Sequence, residues 1–311
     1  MNGFLPISKQ DMQDRGWFYC DFLLVTGDAY VDHPSFGTAI ISRVLEDAGY
    51  RVAILSQPDF RDERDFLAMG RPRYAVLING GNIDSMVAHY TAAKKRRSDD
   101  AYTPGGRAGK RPDRAVTVYA MLARRAFPEV PVYLGGIEAS LRRFAHYDYW
   151  ADRVMPSILE STGADGLMYG MSERSVLELA RNLKHGKKGA DACVGVRGTA
   201  YLAHDVEGLA FDAVECPSYE DAVSYTHLLL FFIAFCISTL TVYPKTADLS
   251  SGAAPPLSCL SKKTCLPLAI PRKMWFNITV YEYQTAMNRE SNAIPLFSEK
   301  AAFGCKPPKE T

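Results

Sequence analysis

Asp28, Asp32 and His33 fall within six residues of one another, in a polar turn that follows the apolar run 22–26. Two carboxylates and an imidazole in one turn can hold or orient a polar ligand, and open α/β sheets bind their ligands at the carboxyl ends of strands. The same residue types also begin helices, Asp32 as a cap and His33 through local hydrogen bonds, so a binding role and a capping role both fit. Asn79 and Glu138 take equivalent places after two later apolar runs, 74–78 and 132–134, the second through the pair Gly135-Gly136. If these runs are strands of one parallel sheet, all five polar side chains emerge along one edge. There they would form a ligand-binding site that positions a substrate or partner.

Other constellations are less specific. Arg142, Arg143, His146, Tyr147, Asp148 and Tyr149 form a polar and aromatic cluster. It either grips an anionic substrate or packs on a neighbouring domain, since arginine and aromatics are enriched at both kinds of contact. The run Gly105-Gly106-Arg107-Ala108-Gly109-Lys110 resembles a phosphate loop but lacks its first glycine, carries Arg111 in place of Ser or Thr, and follows no strand. No G-x-G-x-x-G follows the first apolar run. The basic run 94–97 is followed closely by Asp99 and Asp100 and reads as a solvated loop face, not a nucleic-acid patch.

The elements that must position these residues follow from periodicity. The unbroken apolar runs 22–26, 52–55, 74–78, 132–134 and 166–169 are short enough for strands and lack the alternation of half-exposed ones, so both faces should be covered. Between the first two, Pro34 suits a first helical turn. Phe36, Ile40, Ile41, Val44, Leu45 and Ala48 then make one apolar face that Gly49 ends. Strand, helix and strand with tight connections predict parallel, right-handed pairing. The expected fold is a doubly wound, mainly parallel, Rossmann-like α/β sheet. Residues 88–114 break the pattern as a long polar loop, after which Asp113 is placed to cap a helix bearing Val116, Tyr119, Ala120, Ala123 and Phe127.

Composition divides the 311 residues near Ala222. Residues 1–222 hold 21 of the 23 glycines and 57 of the 71 charged residues, whereas 223–311 hold 8 of the 18 prolines and 4 of the 7 cysteines. Their charges are about −3 and +4, neither of which calls for a nucleic-acid partner. The first residues show no basic segment before an apolar core, and the body's widely spaced cysteines suit reduced thiols, so a cytoplasmic protein is expected. In the tail the apolar segment 228–242 is shorter than the roughly twenty residues a spanning helix needs, so no membrane anchor is expected. Val223-Ser224-Tyr225-Thr226-His227-Leu228 resembles translated adapter sequence, and residues 223–311 are expected to be a non-native tail without a core of its own.

The body also resembles a known family. VTGDAYVDHPSFG at 25–37, DAYTP at 100–104, GKRPDR at 109–114, GGIEASLRR at 135–143 and HYDYW at 146–150 resemble the N-terminal region of the YgiQ family of radical S-adenosylmethionine (SAM) proteins, from about Gly3 to Ala222. The resemblance implies a Rossmann-like domain, similar in outline to cobalamin-binding domains, placed before a radical SAM barrel. In the full-length family it implies a [4Fe–4S] cluster and SAM. The barrel's motif is C-x-x-x-C-x-x-C, because three thiolates hold the cluster and one iron stays open for SAM. Cysteines at 20, 193, 216, 236, 259, 265 and 305 do not supply it, so this chain is expected to be a fragment without the barrel, inactive by itself. The cobalamin box Asp-x-His-x-x-Gly is also absent, because Asp32 and His33 are adjacent and Gly37 lies four residues beyond. Two alternatives are a non-catalytic domain for a small cobalamin- or nucleotide-like ligand and a structural docking domain.

Overall fold

The computed structural model describes residues 3–203, 214–216, 218–224, 266–270 and 274–278. After a first short helix, α1 (Lys9–Asp14), the chain enters a six-stranded sheet. Its strands are β1 (Phe22–Thr26), β2 (Val52–Ser56), β3 (Ala75–Asn79), β4 (Val132–Gly135), then after a small antiparallel hairpin of β5 (His146–Asp148) and β6 (Arg153–Met155), β7 (Gly166–Met168) and β8 (Thr199–Ala200). The order across the sheet is β2-β1-β3-β4-β7-β8. The first five are parallel, as their apolar runs predict, and β8 closes the edge antiparallel to β7.

Helices cover both faces, which is why these strands carry no polar alternation. Side chains of successive strand residues point to opposite sides. Phe22 and Leu24 pack with Leu45, Leu77, Tyr133, Val176 and Leu179 beneath α2 (Gly37–Asp47) and α8 (Glu173–Lys184). Leu23 and Val25 pack on the other side with Phe66, Val76, Val116, Tyr119 and Leu159, contributed in part by α3 (Arg64–Met69), α5 (Ala115–Ala126) and α7 (Ile158–Thr162). Two shorter helices, α4 (Ser85–His89) and α6 (Gly136–Leu141), follow β3 and β4 directly at the carboxyl edge.

The chain order reverses between β1 and β3, which makes the carboxyl ends of those two strands the switch point of a doubly wound sheet. Register lines the exits up: Thr26 pairs with Asn79, and Asn79 with Gly135. Asp28, Asn79 and Glu138 therefore leave the sheet from one edge.

Two local expectations change. Pro34 lies before its helix, which starts at Gly37 with extended Phe36 as its cap. Asp113 does not cap α5; Arg114, in the left-handed region at φ 51°, occupies the cap position, and Asp113 binds His89 Nδ1 at 2.5 Å and Tyr90 OH at 2.8 Å. The long loop is held by bridges pairing Tyr90 with Arg96 and Asp99 with Arg107, and by a 3-10 turn at Pro104–Gly106.

Across the compositional boundary runs α9 (Tyr219–Ser224), whose Tyr219 OH donates to the Val154 carbonyl at 3.4 Å. Of the tail, β10 (Leu266–Ile270) and β11 (Met274–Ile278) pair antiparallel, and β10 runs parallel to β9 (Val214–Glu215). The apolar segment 228–242 and most of the tail expected to lack a core lie outside the described residues. Among the described residues no helix is long and apolar enough to cross a membrane.

Candidate functional site

The exits of β1 and β3 press against each other through glycine. A Cβ on Gly27 would come within 2.3 Å of the Gly80 carbonyl oxygen, and one on Gly81, at φ +111°, within 2.1 Å of Asp28 Oδ1. The contact that needs these glycines is a buried ion cluster. Arg111, 1% exposed, forks onto Asp100 with Nε at 2.9 Å and Nη2 at 2.8 Å, and its Nη1 donates to the Gly80 carbonyl at 3.0 Å. Asp28, 2% exposed, accepts from the Asn82 N–H at 2.7 Å through Oδ2. Its Oδ1 lies 2.9 Å from Arg111 Nη1 but receives no aligned hydrogen bond. Burial therefore outweighs the Asn82 N–H and the Arg111 charge, and the Asp28 carboxyl is pushed up to about 6.

Beside this cluster the side chains of β1, β3 and α2 close a ring. Thr26 Oγ1 donates to Asn79 Oδ1 at 2.9 Å, Asn79 Nδ2 donates to Thr38 Oγ1 at 3.2 Å, and Thr38 Oγ1 donates to Thr26 Oγ1 at 3.2 Å. Asn79 Oδ1 also takes the Gly81 N–H at 2.9 Å. Glu138, 1% exposed, spans two helix starts: Oε2 accepts from the Ser85 N–H at 2.9 Å and Oε1 from the Val116 N–H at 3.0 Å. Both donors would otherwise be unpaired in the first turns of α4 and α5. Burial, then the nearby Asp84 charge, raises the Glu138 carboxyl above its ordinary range. Arg142 answers that charge by pairing with Asp84 and donating to the Glu138 carbonyl at 3.1 Å.

Asp28, Asn79 and Glu138 are thus brought together, each already bonded to the framework. Asp32 and His33 are not part of that group. Asp32 pairs with Arg43, whose hydrogen bonds hold its carboxyl below the usual range, and exposed His33 accepts the Ser35 N–H on Nδ1 at 3.1 Å. The cluster around residues 142–149 is largely spent on packing. Asp148 takes Arg114 at 3.0 Å, and Tyr149 OH donates to the Ala92 carbonyl at 2.7 Å.

Next to the ring, a cleft of about 260 Å³ opens at the carboxyl ends of β1, β3, β4 and β7. Its apolar lining includes Leu24, Leu77 and Tyr133, Ile40 and Ile41 of α2, and Met168 and Met171, and its polar lining includes Asn79, Asn82 and Glu173. Of the expected residues only Asn79 lines it. Thr38, Met171 and Glu173 were not singled out by sequence, nor was Arg111, whose neighbours Gly109 and Pro112 mark a structured turn without revealing its partners.

The described residues do not fit an iron–sulfur cluster. Burial pushes the thiols of Cys20 and Cys193 up to about 12, far from the thiolate form a cluster ligand needs. No group of three or more His, Cys, Asp or Glu among the described residues is placed to hold a metal ion.

A family model described as radical SAM N-terminal matches residues 4–239. A UPF0313 protein of Clostridium botulinum (strain ATCC 19397 / Type A) is 55% identical over 218 residues, which cover 70% of this chain and 34% of that protein. A UPF0313 protein of Clostridium perfringens (strain SM101 / Type A) is 54% identical over 223 residues, or 72% of this chain and 34% of that protein. The chain spans about a third of the length of these relatives.

Proposed function

The chain belongs to the radical SAM N-terminal family, and from that premise we propose that residues 1–222 are the ligand-holding domain of a UPF0313-type protein, without radical chemistry of their own. The cleft at the switch point carries this reading. It lies where doubly wound sheets bind ligands and is lined mainly by apolar residues with a few polar ones, and the buried clusters beside it keep its walls in place. Full-length radical SAM proteins work with a [4Fe–4S] cluster and SAM. On this reading both belong to the part of the relatives that this chain does not match. Asp28 and Glu138 then position the strand exits, and Asn79 touches the ligand.

Exposed apolar side chains support a second role for the same edge. Ile137 and Leu141, one turn apart on α6, are 46% and 54% exposed, and Met171 at the cleft is 72% exposed. Such a group on one edge marks a contact surface. Its proposed partner is the barrel of a full-length member, which would cover the cleft and its occupant.

A thermal-shift screen of nucleosides, nucleotides, SAM, cobalamin and amino acids against the 311-residue chain tests the reading. Gly37 lines the cleft and has open space where a Cβ would stand, so Gly37→Leu blocks the mouth without a backbone clash. A compound that stabilises the wild type and not this variant is the expected result. If no compound stabilises the wild type, or if the variant responds equally, the domain is not a ligand holder.

A further inference from the structure

We propose that the long loop between α4 and α5, together with the turn of the β5–β6 hairpin beside it, binds a single-stranded nucleic acid. The basic residues 94–97 meet its phosphates and Tyr149 stacks on a base. None of these residues lines the cleft, so the proposal stands apart from the ligand-holding reading.

The first argument is charge. Lys94, Lys95, Arg96 and Arg97 are all exposed, and among the described residues none of them forms an ion pair. Along the sequence Asp99 and Asp100 offset this run, but the fold turns one of the two inward. Asp100, 3% exposed, gives its carboxylate to Arg111. In the neighbouring hairpin Asp148 is likewise taken by Arg114. Asp99 and Asp113 are left to face the four cations of the run, and Arg107 and Lys110, also exposed and outside any ion pair among the described residues, add to the positive side. Such a surface attracts a chain of phosphates.

The second argument is the rings that the fold sets beside those cations. Residues 96 and 97 run back along 89 and 90: Tyr90 bridges with Arg96, and the Arg97 N–H donates to the His89 carbonyl at 2.7 Å. At the tip of the turn Lys94 takes the left-handed region at φ 57°, which is uncommon for a residue other than glycine, asparagine or aspartate. Its Nζ stands 4.7 Å from the centre of the Tyr149 ring. Tyr149, 45% exposed, lies 5.4 Å from the partly exposed Trp150, which in turn lies 6.5 Å from Tyr90. The Tyr149 hydroxyl donates to the Ala92 carbonyl at 2.7 Å and the Tyr90 hydroxyl to Asp113, so both rings are fixed in place and held back from inserting among lipids. Cations that follow a phosphate backbone, interleaved with rings on which any base can stack, make a surface for single strands. A duplex keeps its bases stacked on one another and gains only from the cations.

Fluorescence anisotropy of the 311-residue chain with labelled oligo-dT and oligo-U of about 12 nucleotides, and with a duplex of the same length, tests this. Saturable binding of the single strands, tighter than of the duplex, is expected. The logarithm of the binding constant should fall with the logarithm of salt at a slope of about −3 if all four cations of the run meet phosphates. Lys94→Gly, which suits the left-handed backbone, combined with Lys95→Gln should reduce that slope by about 1.4. Tyr149→Leu should weaken binding about fivefold or more, and Tyr149→Phe, which keeps the ring, should recover most of the loss, with melting temperatures showing that each variant is folded. If Tyr149→Leu does not fold, the lysine pair carries the test. No saturable binding, or a duplex or phosphatidylserine vesicles held as tightly as the single strand, overturns the proposal. So does an affinity indifferent to Tyr149→Leu, or a salt slope that survives the lysine changes and so assigns the binding to another basic segment of the chain.

Discussion

Replacing Arg111 by methionine should cost more stability than any other single change at the carboxyl edge, and the cost should depend on pH. The guanidinium is wholly buried and is the counter-charge for Asp28 and Asp100, which are 2% and 3% exposed. Methionine fills most of the volume, so the loss is electrostatic: two carboxylates and the Gly80 carbonyl lose their donor. Removing one partner of a buried ion cluster costs about 3–5 kcal/mol, a large share of the roughly 5–15 kcal/mol that holds a domain folded. Without Arg111 both carboxyls can escape only by taking up protons. Urea unfolding of Arg111→Met should therefore show the full loss at neutral pH and a smaller one near pH 5, whereas a pure packing defect would be the same at both. Arg111→Lys keeps the charge but cannot span both Asp100 oxygens and Gly80, so about half the loss is expected. A loss in Arg111→Met below about 1 kcal/mol, the scale of an exposed ion pair, or one equal at both pH values, would refute the reasoning.

Asp28 gives a second pH signature. Its folded carboxyl sits at about 6 against an ordinary value of 3.8, so its contribution to stability is full below 3.8 and is lost as pH rises through about 6. Asp28→Asn should abolish that decline in denaturation curves taken across the window. Glu138→Gln can accept only one of the two helix-start N–H groups and should cost about 1–3 kcal/mol, read by urea unfolding at neutral pH; no measurable change would mean the carboxylate does not bridge α4 and α5. Gly81→Ala places a methyl group where Asp28 Oδ1 stands, at φ +111°, and should lower the melting temperature sharply while Gly37→Leu leaves it nearly unchanged. Reconstituted with iron and sulfide, the 311-residue chain should hold no [4Fe–4S] cluster and release no 5′-deoxyadenosine from SAM, because no C-x-x-x-C-x-x-C occurs in it. Stoichiometric iron with cluster absorbance would contradict that.

What the sequence alone determined is the layer plan. Unbroken apolar runs of strand length, each followed by a glycine or carboxylate turn, can be satisfied only by strands covered on both faces, and β1, β2, β3, β4 and β7 appear within a residue of where periodicity puts them. The edge on which Asp28, Asn79 and Glu138 emerge follows from the same logic, since parallel strands share a carboxyl end. The tertiary structure decided what each polar side chain does there. Asp28 and Asp32 look alike in sequence. One is buried against Arg111, 83 positions away, and the other meets Arg43 on the neighbouring helix. Glu138 reaches the start of α4 across 53 residues, a pairing set by the approach of two chain segments and not by any local spacing. Strand and helix formation depend on neighbours a few positions apart, which a sequence displays. A hydrogen bond or ion pair depends on which distant groups the packed sheet brings within about 3 Å, and on what burial leaves them no other way to satisfy.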